Sequence, residues 1–255
     1  METRVPSHPA PAAAAAPMQR VLAWSVHAFT ASGAVLGLLA VQAIHAGRFR
    51  EALVWLFAAY LIDAVDGSLA RAARVKEVLP SIDGRMLDYV IDFLNIVFIP
   101  AYFLLASSLL PEPLRLPAAG AVLLVSCYHY ANLEAMTDDF YFRGFPAMWS
   151  IVVFYLFFLN LPHWGNGLVV AGFCILHFVP VKFIYPTRTV RLRRLNLALV
   201  ALWAGCNLFL LYAFPEPVYP VLALSSGVMV YMAGFSLLAT VQASKTEGRT
   251  ASLQP

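Results

Sequence analysis

Charge is scarce in this 255-residue sequence: Asp, Glu, Lys and Arg make up 12% of it. Soluble domains carry about 25%, so a water-covered globular surface is excluded. Cysteine is scarce too. Cys127, Cys174 and Cys206 all fall inside apolar stretches, with no C-x-x-C pair and no His partner at ligand spacing, which excludes a disulfide scaffold and a zinc site. The 17 basic residues are too few and too scattered for a nucleic-acid surface. What the sequence does have is apolar length: 61% of the residues are hydrophobic and the mean hydropathy is +0.73. Such a chain belongs in a bilayer.

A spanning helix needs about 20 mainly apolar residues. Apolar runs predict an all-α integral membrane protein with eight spans, at about 21–45, 50–70, 87–110, 117–134, 147–162, 166–184, 195–214 and 218–241. Punctuation supports them, with Gly47, Pro111, Pro146, Pro162 and Pro215 at or near the junctions. Residues 1–20, rich in Pro and Ala without hydrophobic period, read as a disordered tail, 21–241 as the transmembrane domain and 242–255 as a cytoplasmic tail. Placing both termini in the cytoplasm leaves only Arg48, Arg50 and Arg115 of the 17 basic residues outside. The positive-inside rule favours that orientation, and an even number of spans satisfies it.

The acidic residues are unevenly spread. Asp63, Asp66, Glu77, Asp83, Asp88 and Asp92 crowd one short region, and four of them fall in or beside predicted spans. A carboxylate in a membrane costs several kcal/mol, so something must offset it. Asp63 and Asp66 are spaced i, i+3 and Asp88 and Asp92 i, i+4, so each pair shares one helix face. Two facing pairs repel unless a proton or cation sits between them. Oxygen-only ligation suits Mg²⁺ or Mn²⁺, ions that usually partner substrate phosphates. Arg71 offers a guanidinium fork for a phosphate, while Gly67, Ala70 and Gly84 keep the helix surfaces small enough for a bulky ligand. Two other readings stay open here: carboxylates paired with Arg71, Arg74, Lys76 and Arg85 in a solvated loop, and a proton or cation path in a transporter.

The pattern Asp63-x2-Asp66-Gly67-x2-Ala70-Arg71, followed by Gly84-x3-Asp88-x3-Asp92, resembles the signature of the CDP-alcohol phosphotransferase family of integral-membrane enzymes. The stretch between Arg71 and Gly84, with Val75-Lys76-Glu77-Val78-Leu79-Pro80, is longer than the family's common pattern and resembles the bacterial branch whose acceptor is choline. The likeness extends over about residues 20–241. It implies that the phosphatidyl group of CDP-diacylglycerol passes to choline with release of CMP. It further implies that Asp63, Asp66, Asp88 and Asp92 hold Mn²⁺ or Mg²⁺, with Asp92 completing a second ion site or acting as base. Gly67, Ala70, Arg71 and Gly84 would line the nucleotide and phosphate pocket. A multi-pass homodimer in the bacterial inner membrane, with its active site on the cytoplasmic side, is also implied.

Choline carries no N–H donor, so its recognition calls for aromatic faces and a carboxylate. Glu134, Tyr128 and Trp149 are candidates, set against ordinary membrane-interface packing of the aromatics. His27 and Thr30, one turn apart on the first span, are candidates for the cytidine or ribose, set against helix packing. Lys182 and Arg188 are candidates for the lipid phosphate, beside a basic run that also suits anionic lipid. Serine, glycerol 3-phosphate or inositol phosphate remain alternative acceptors.

Overall fold

Pro17 opens the first helix, where a missing N–H is harmless, and the Gln19 side chain accepts from the Ala16 N–H at 3.1 Å. The resulting α1, Pro17–His45, starts ahead of the expected position 21. The structure, a computed structural model, describes residues 16–186, 189, 191–216 and 218–251, and side chains as far as residue 243. Residues 1–15 of the expected tail lie outside the described residues.

Gly47, at φ +71°, ends α1. Its N–H reaches the Ile44 carbonyl at 2.9 Å and that of Arg48 the Ala43 carbonyl at 2.8 Å, the paired bonds of a left-handed helix stop. α2, Phe49–Ala72, follows, then the short α3, Val75–Val78. Asp83 caps α4, Gly84–Asp92, its carboxylate accepting from the N–H groups of Arg85 at 3.0 Å and Met86 at 3.3 Å. A π-helical stretch, Phe93–Phe98, joins α4 to α5, Ile99–Ala106. Pro100 explains it. Proline donates no hydrogen bond and its ring crowds the carbonyl four residues back, and in the wider turn the Ile99 N–H bonds to the Leu94 carbonyl instead.

The remaining helices are α6, Glu112–Ala131; α7, Trp149–Phe158; α8, His163–Leu176; α9, Arg193–Ala213; and α10, Tyr219–Ala251. Among the described residues five helical segments are long and apolar enough to cross a membrane: Pro17–His45, Phe49–Ala72, Gly84–Ala106, Arg193–Ala213 and Tyr219–Ala243. The chain is therefore a mainly helical membrane protein. α7 and α8 fall on expected spans but hold 10 and 14 residues, short of the roughly 20 that a crossing requires.

The expected span 166–184 is cut short, because the helix ends at Leu176 and the chain turns at Val179-Pro180 into a strand. β1, Tyr141–Arg143, and β2, Lys182–Ile184, pair antiparallel with Phe142 opposite Phe183, a small sheet that the all-α expectation lacks. Gly144 closes it at φ +79°, its Cα so near the His177 carbonyl oxygen that no Cβ fits.

Glycine also lets helices approach closely. Gly33 and Gly37 lie one turn apart on α1. A Cβ at Gly33 would meet Ile91 Cγ2 at 2.7 Å, and one at Gly37 would meet Asn95 Oδ1 at 2.5 Å and Ile99 Cδ1 at 2.8 Å. Asn95 donates from Nδ2 to the Gly33 carbonyl at 3.0 Å, so the α4 to α5 segment is bonded against α1. On the opposite flank Arg50, near the start of α2, donates to the Leu211 and Tyr212 carbonyls at the end of α9, at 2.7 and 3.2 Å. Small-residue contact of this kind drives helix association where lipid removes the hydrophobic incentive. Replacing Gly37 with Ile should therefore lower the melting stability of the detergent-solubilised protein by about 1–3 kcal/mol. Gly227→Ala, at a position with nothing within 4 Å, should leave the melt unchanged.

Candidate active site

α2 carries Asp63 and Asp66, and α4 carries Asp88 and Asp92. α1 packs along both helices, so the two pairs predicted to share a face each open into one cleft. It encloses about 340 Å³, open solvent included, and its wall also holds Thr30, Tyr60, Asn95 and Ser150. Asp63, Asp88 and Asp92 each present a carboxylate oxygen, and these oxygens all lie within 4.8 Å of one another. Three anionic oxygens so near and half-buried repel strongly unless positive charge is shared among them. An all-oxygen donor set of this kind fits a hard divalent ion.

Asp66 stands apart from that set. It is buried, and its Oδ2 accepts from Thr30 Oγ1 at 2.8 Å, so it borders the cleft while tied to α1. His27, one turn before Thr30, packs on Gly84: a Cβ there would stand 3.2 Å from His27 Cε1. The His27 Nε2 is buried with no hydrogen-bond partner. Gly67 leaves a gap bounded by the Arg71 guanidinium, 3.4 Å from where its Cβ would be. Arg71 donates to Ser68 Oγ at 2.9 Å and is otherwise exposed. Ala70 packs on the small apolar cluster of Ala23, Val26, Val75 and Leu79. His27 and Thr30 thus sit at the α1 side of the motif, and Gly67 and Arg71 at the far end of α2.

The structure does not gather Glu134, Tyr128 and Trp149. Trp149 is fully buried, its indole N–H donating to Ser126 Oγ at 2.9 Å and its ring stacked on His177 at 5.8 Å. Tyr128 is 58% exposed and lies against Phe178. Glu134 is exposed and pairs with Arg143 at 3.4 Å. Lys182 is engaged as well, its ammonium 2.9 Å from Asp139 and over the Tyr141 ring. Arg188 lies outside the described residues. Three residues with polar side chains in the cleft escape a sequence reading: Tyr60, Asn95 and Ser150. Asn95 carried a usable signal, a lone amide in an apolar run at one turn from Asp92.

No family model matches the chain. Curated relatives do. A phosphatidylcholine synthase of Agrobacterium fabrum is 40% identical over 220 residues, 86% of this chain and 91% of the relative. One of Pseudomonas aeruginosa is 38% identical over 221 residues, 87% and 93% of the two chains. One of Borreliella burgdorferi is 33% identical over 231 residues, 90% and 97% of the two chains.

The Lys182 pair yields a pH test. Partial burial pushes the Asp139 carboxyl up, but hydrogen bonds from Thr137 and Lys182 and the Lys182 charge outweigh it and hold the group below its ordinary value. A carboxyl depressed in the folded state stabilises above its unfolded pKa, and the contribution fades as pH falls through the folded value. At neutral pH Asp139→Asn should cost less than about 1 kcal/mol, since the Asp139 end of the pair is exposed and screened by solvent. The gap between wild-type and variant melts should close as pH drops below the carboxylate range.

Proposed function

The chain belongs to the phosphatidylcholine synthase family, and from that premise we propose that it transfers the phosphatidyl group of CDP-diacylglycerol to choline, releasing CMP. The observation that carries this reading is the convergence of Asp63, Asp88 and Asp92 on one cleft in a chain 40% identical to such a synthase over most of its length.

The residues divide the work. Asp63, Asp88 and Asp92 would hold Mn²⁺ or Mg²⁺, with Asp66 at the cleft's edge. A bound ion would supply charge neutralisation at the diphosphate and stabilise CMP as it leaves. Asp92 takes the proton of the choline hydroxyl as that oxygen bonds to the phosphatidyl phosphorus and the bond from phosphorus to the CMP oxygen breaks. Thr30 holds Asp66 in place through its 2.8 Å bond. Arg71, exposed beyond Gly67, would pair with a phosphate. His27, packed on Gly84, would form with it the surface on which the nucleotide rests.

The reading extends to topology: eight membrane-embedded helical segments in a transmembrane domain over 21–241, with both termini in the cytoplasm and the active site facing it. The orientation is supported by the positions of basic residues along the chain, with Arg71, Arg74 and Lys76 at or just after the end of α2, Arg85 at the start of α4, and Arg193 and Arg194 at the start of α9. Location in a bacterial inner membrane and the homodimer implied by family resemblance belong to the same proposal.

Purified protein supplied with CDP-diacylglycerol and Mn²⁺ should release CMP with choline and not with serine, glycerol 3-phosphate or inositol phosphate. Chelation should abolish release, and Asp88→Asn should lower it at least about 100-fold with the protein still folded in detergent. Release with another alcohol alone would overturn the acceptor. Release unaffected by chelation would overturn the ion.

A further inference from the structure

A second cavity, of about 310 Å³ with open space included, adjoins the carboxylate cleft, and Leu56, Tyr60 and Ser150 line both. Four aromatic side chains, Phe57, Tyr60, Phe154 and Trp203, stand in its wall. Phe57 and Tyr60 come from α2 and Trp203 from α9, with centroid separations of 6.2 Å for Phe57 and Trp203, 5.7 Å for Tyr60 and Trp203 and 6.4 Å for Phe57 and Tyr60. The Tyr60 and Trp203 planes stand at 74°, so two ring faces form a corner. The corner is fixed from behind: Trp203 donates its indole N–H to Tyr155 Oη at 2.9 Å, and Tyr155 is bonded to Ser225 at 2.6 Å.

The cavity is poor in hydrogen-bond acceptors. Asn207 has its Oδ1 engaged by Ser225 at 2.6 Å, which leaves two hydroxyls, that of Tyr60 and that of Ser150, the latter buried and without a partner. Among the described residues no Lys or Arg lines it. An ammonium bearing three N–H groups would lose its water there with too few acceptors to replace it. A quaternary ammonium has no N–H to satisfy and is drawn to aromatic faces and to nearby negative charge. Both are present, because Tyr60 lies one helical turn before Asp63 and faces both spaces.

Resting on the choline reading above, we propose that the Phe57, Tyr60 and Trp203 cavity receives the trimethylammonium group of the acceptor and delivers its hydroxyl to the carboxylate cleft. The acceptor's specificity then resides in α2 and α9, and the exposed aromatics near Glu134 take no part in it.

The test is steady-state CMP release by the full-length enzyme, with choline and CDP-diacylglycerol varied in turn. Trp203→Leu should raise the choline KM about tenfold or more and change that for CDP-diacylglycerol less than about twofold, while Trp203→Phe, which keeps a ring, stays within about threefold of wild type. On the wild-type enzyme, 3,3-dimethylbutan-1-ol, with carbon in place of the charged nitrogen, should compete with choline at least about tenfold more weakly than a quaternary analogue does. That arm holds even if Trp203→Leu fails to fold. Equal KM changes for both substrates, changes that follow acyl-chain length, or equal competition by the neutral alcohol would overturn the proposal. Wild-type enzyme that turns over another alcohol but not choline would instead overturn the acceptor reading on which it rests.

Discussion

Three carboxylate oxygens within 4.8 Å of one another, in a chain with 12% charged residues, are the constraint around which this protein is built. Like charges at that separation interact by several kcal/mol at the effective dielectric of a protein surface. A membrane protein that gathers them must both offset the repulsion and hold the helices that carry them in place. In the function proposed above a divalent ion does the first, and the fold does the second.

The holding is local and specific. α1 presents Gly33 and Gly37 so that the α4 to α5 segment approaches without intervening side chains, and Asn95 bonds that segment to the Gly33 carbonyl. Thr30, on the same helix, fixes Asp66. The π-helical stretch that accommodates Pro100 begins at Phe93, directly after Asp92, at the kind of position where such stretches recur beside functional sites. α1 is thus the template against which both carboxylate-bearing helices are registered, while Arg50 ties α2 to α9 on the far side.

Much of this was legible in the sequence because it follows from spacing alone. The i, i+3 and i, i+4 carboxylates share faces whatever the tertiary structure, and the helices fall near the apolar runs. Where tertiary context decides, the sequence was silent or misleading. Trp149 reads as a choline contact or an interface aromatic, yet a partner hydroxyl on Ser126 lets it bury completely. Lys182 reads as a phosphate ligand, yet β1 and β2 bring it to Asp139. Tyr60 and Trp203 are ordinary aromatics of two apolar helices until the α2 to α9 contact makes them neighbours. Gly33 and Gly37 stand at a recognisable spacing, but only the position of Asn95 gives that spacing a purpose.

The shared-ion claim is tested most directly by Mn²⁺ binding, followed by electron paramagnetic resonance on the purified protein without substrate. Saturable binding that is lost in Asp63→Asn and Asp92→Asn alike, from opposite helices, with helical content unchanged, is the expected result. Undiminished binding in either variant would contradict a site built jointly by α2 and α4.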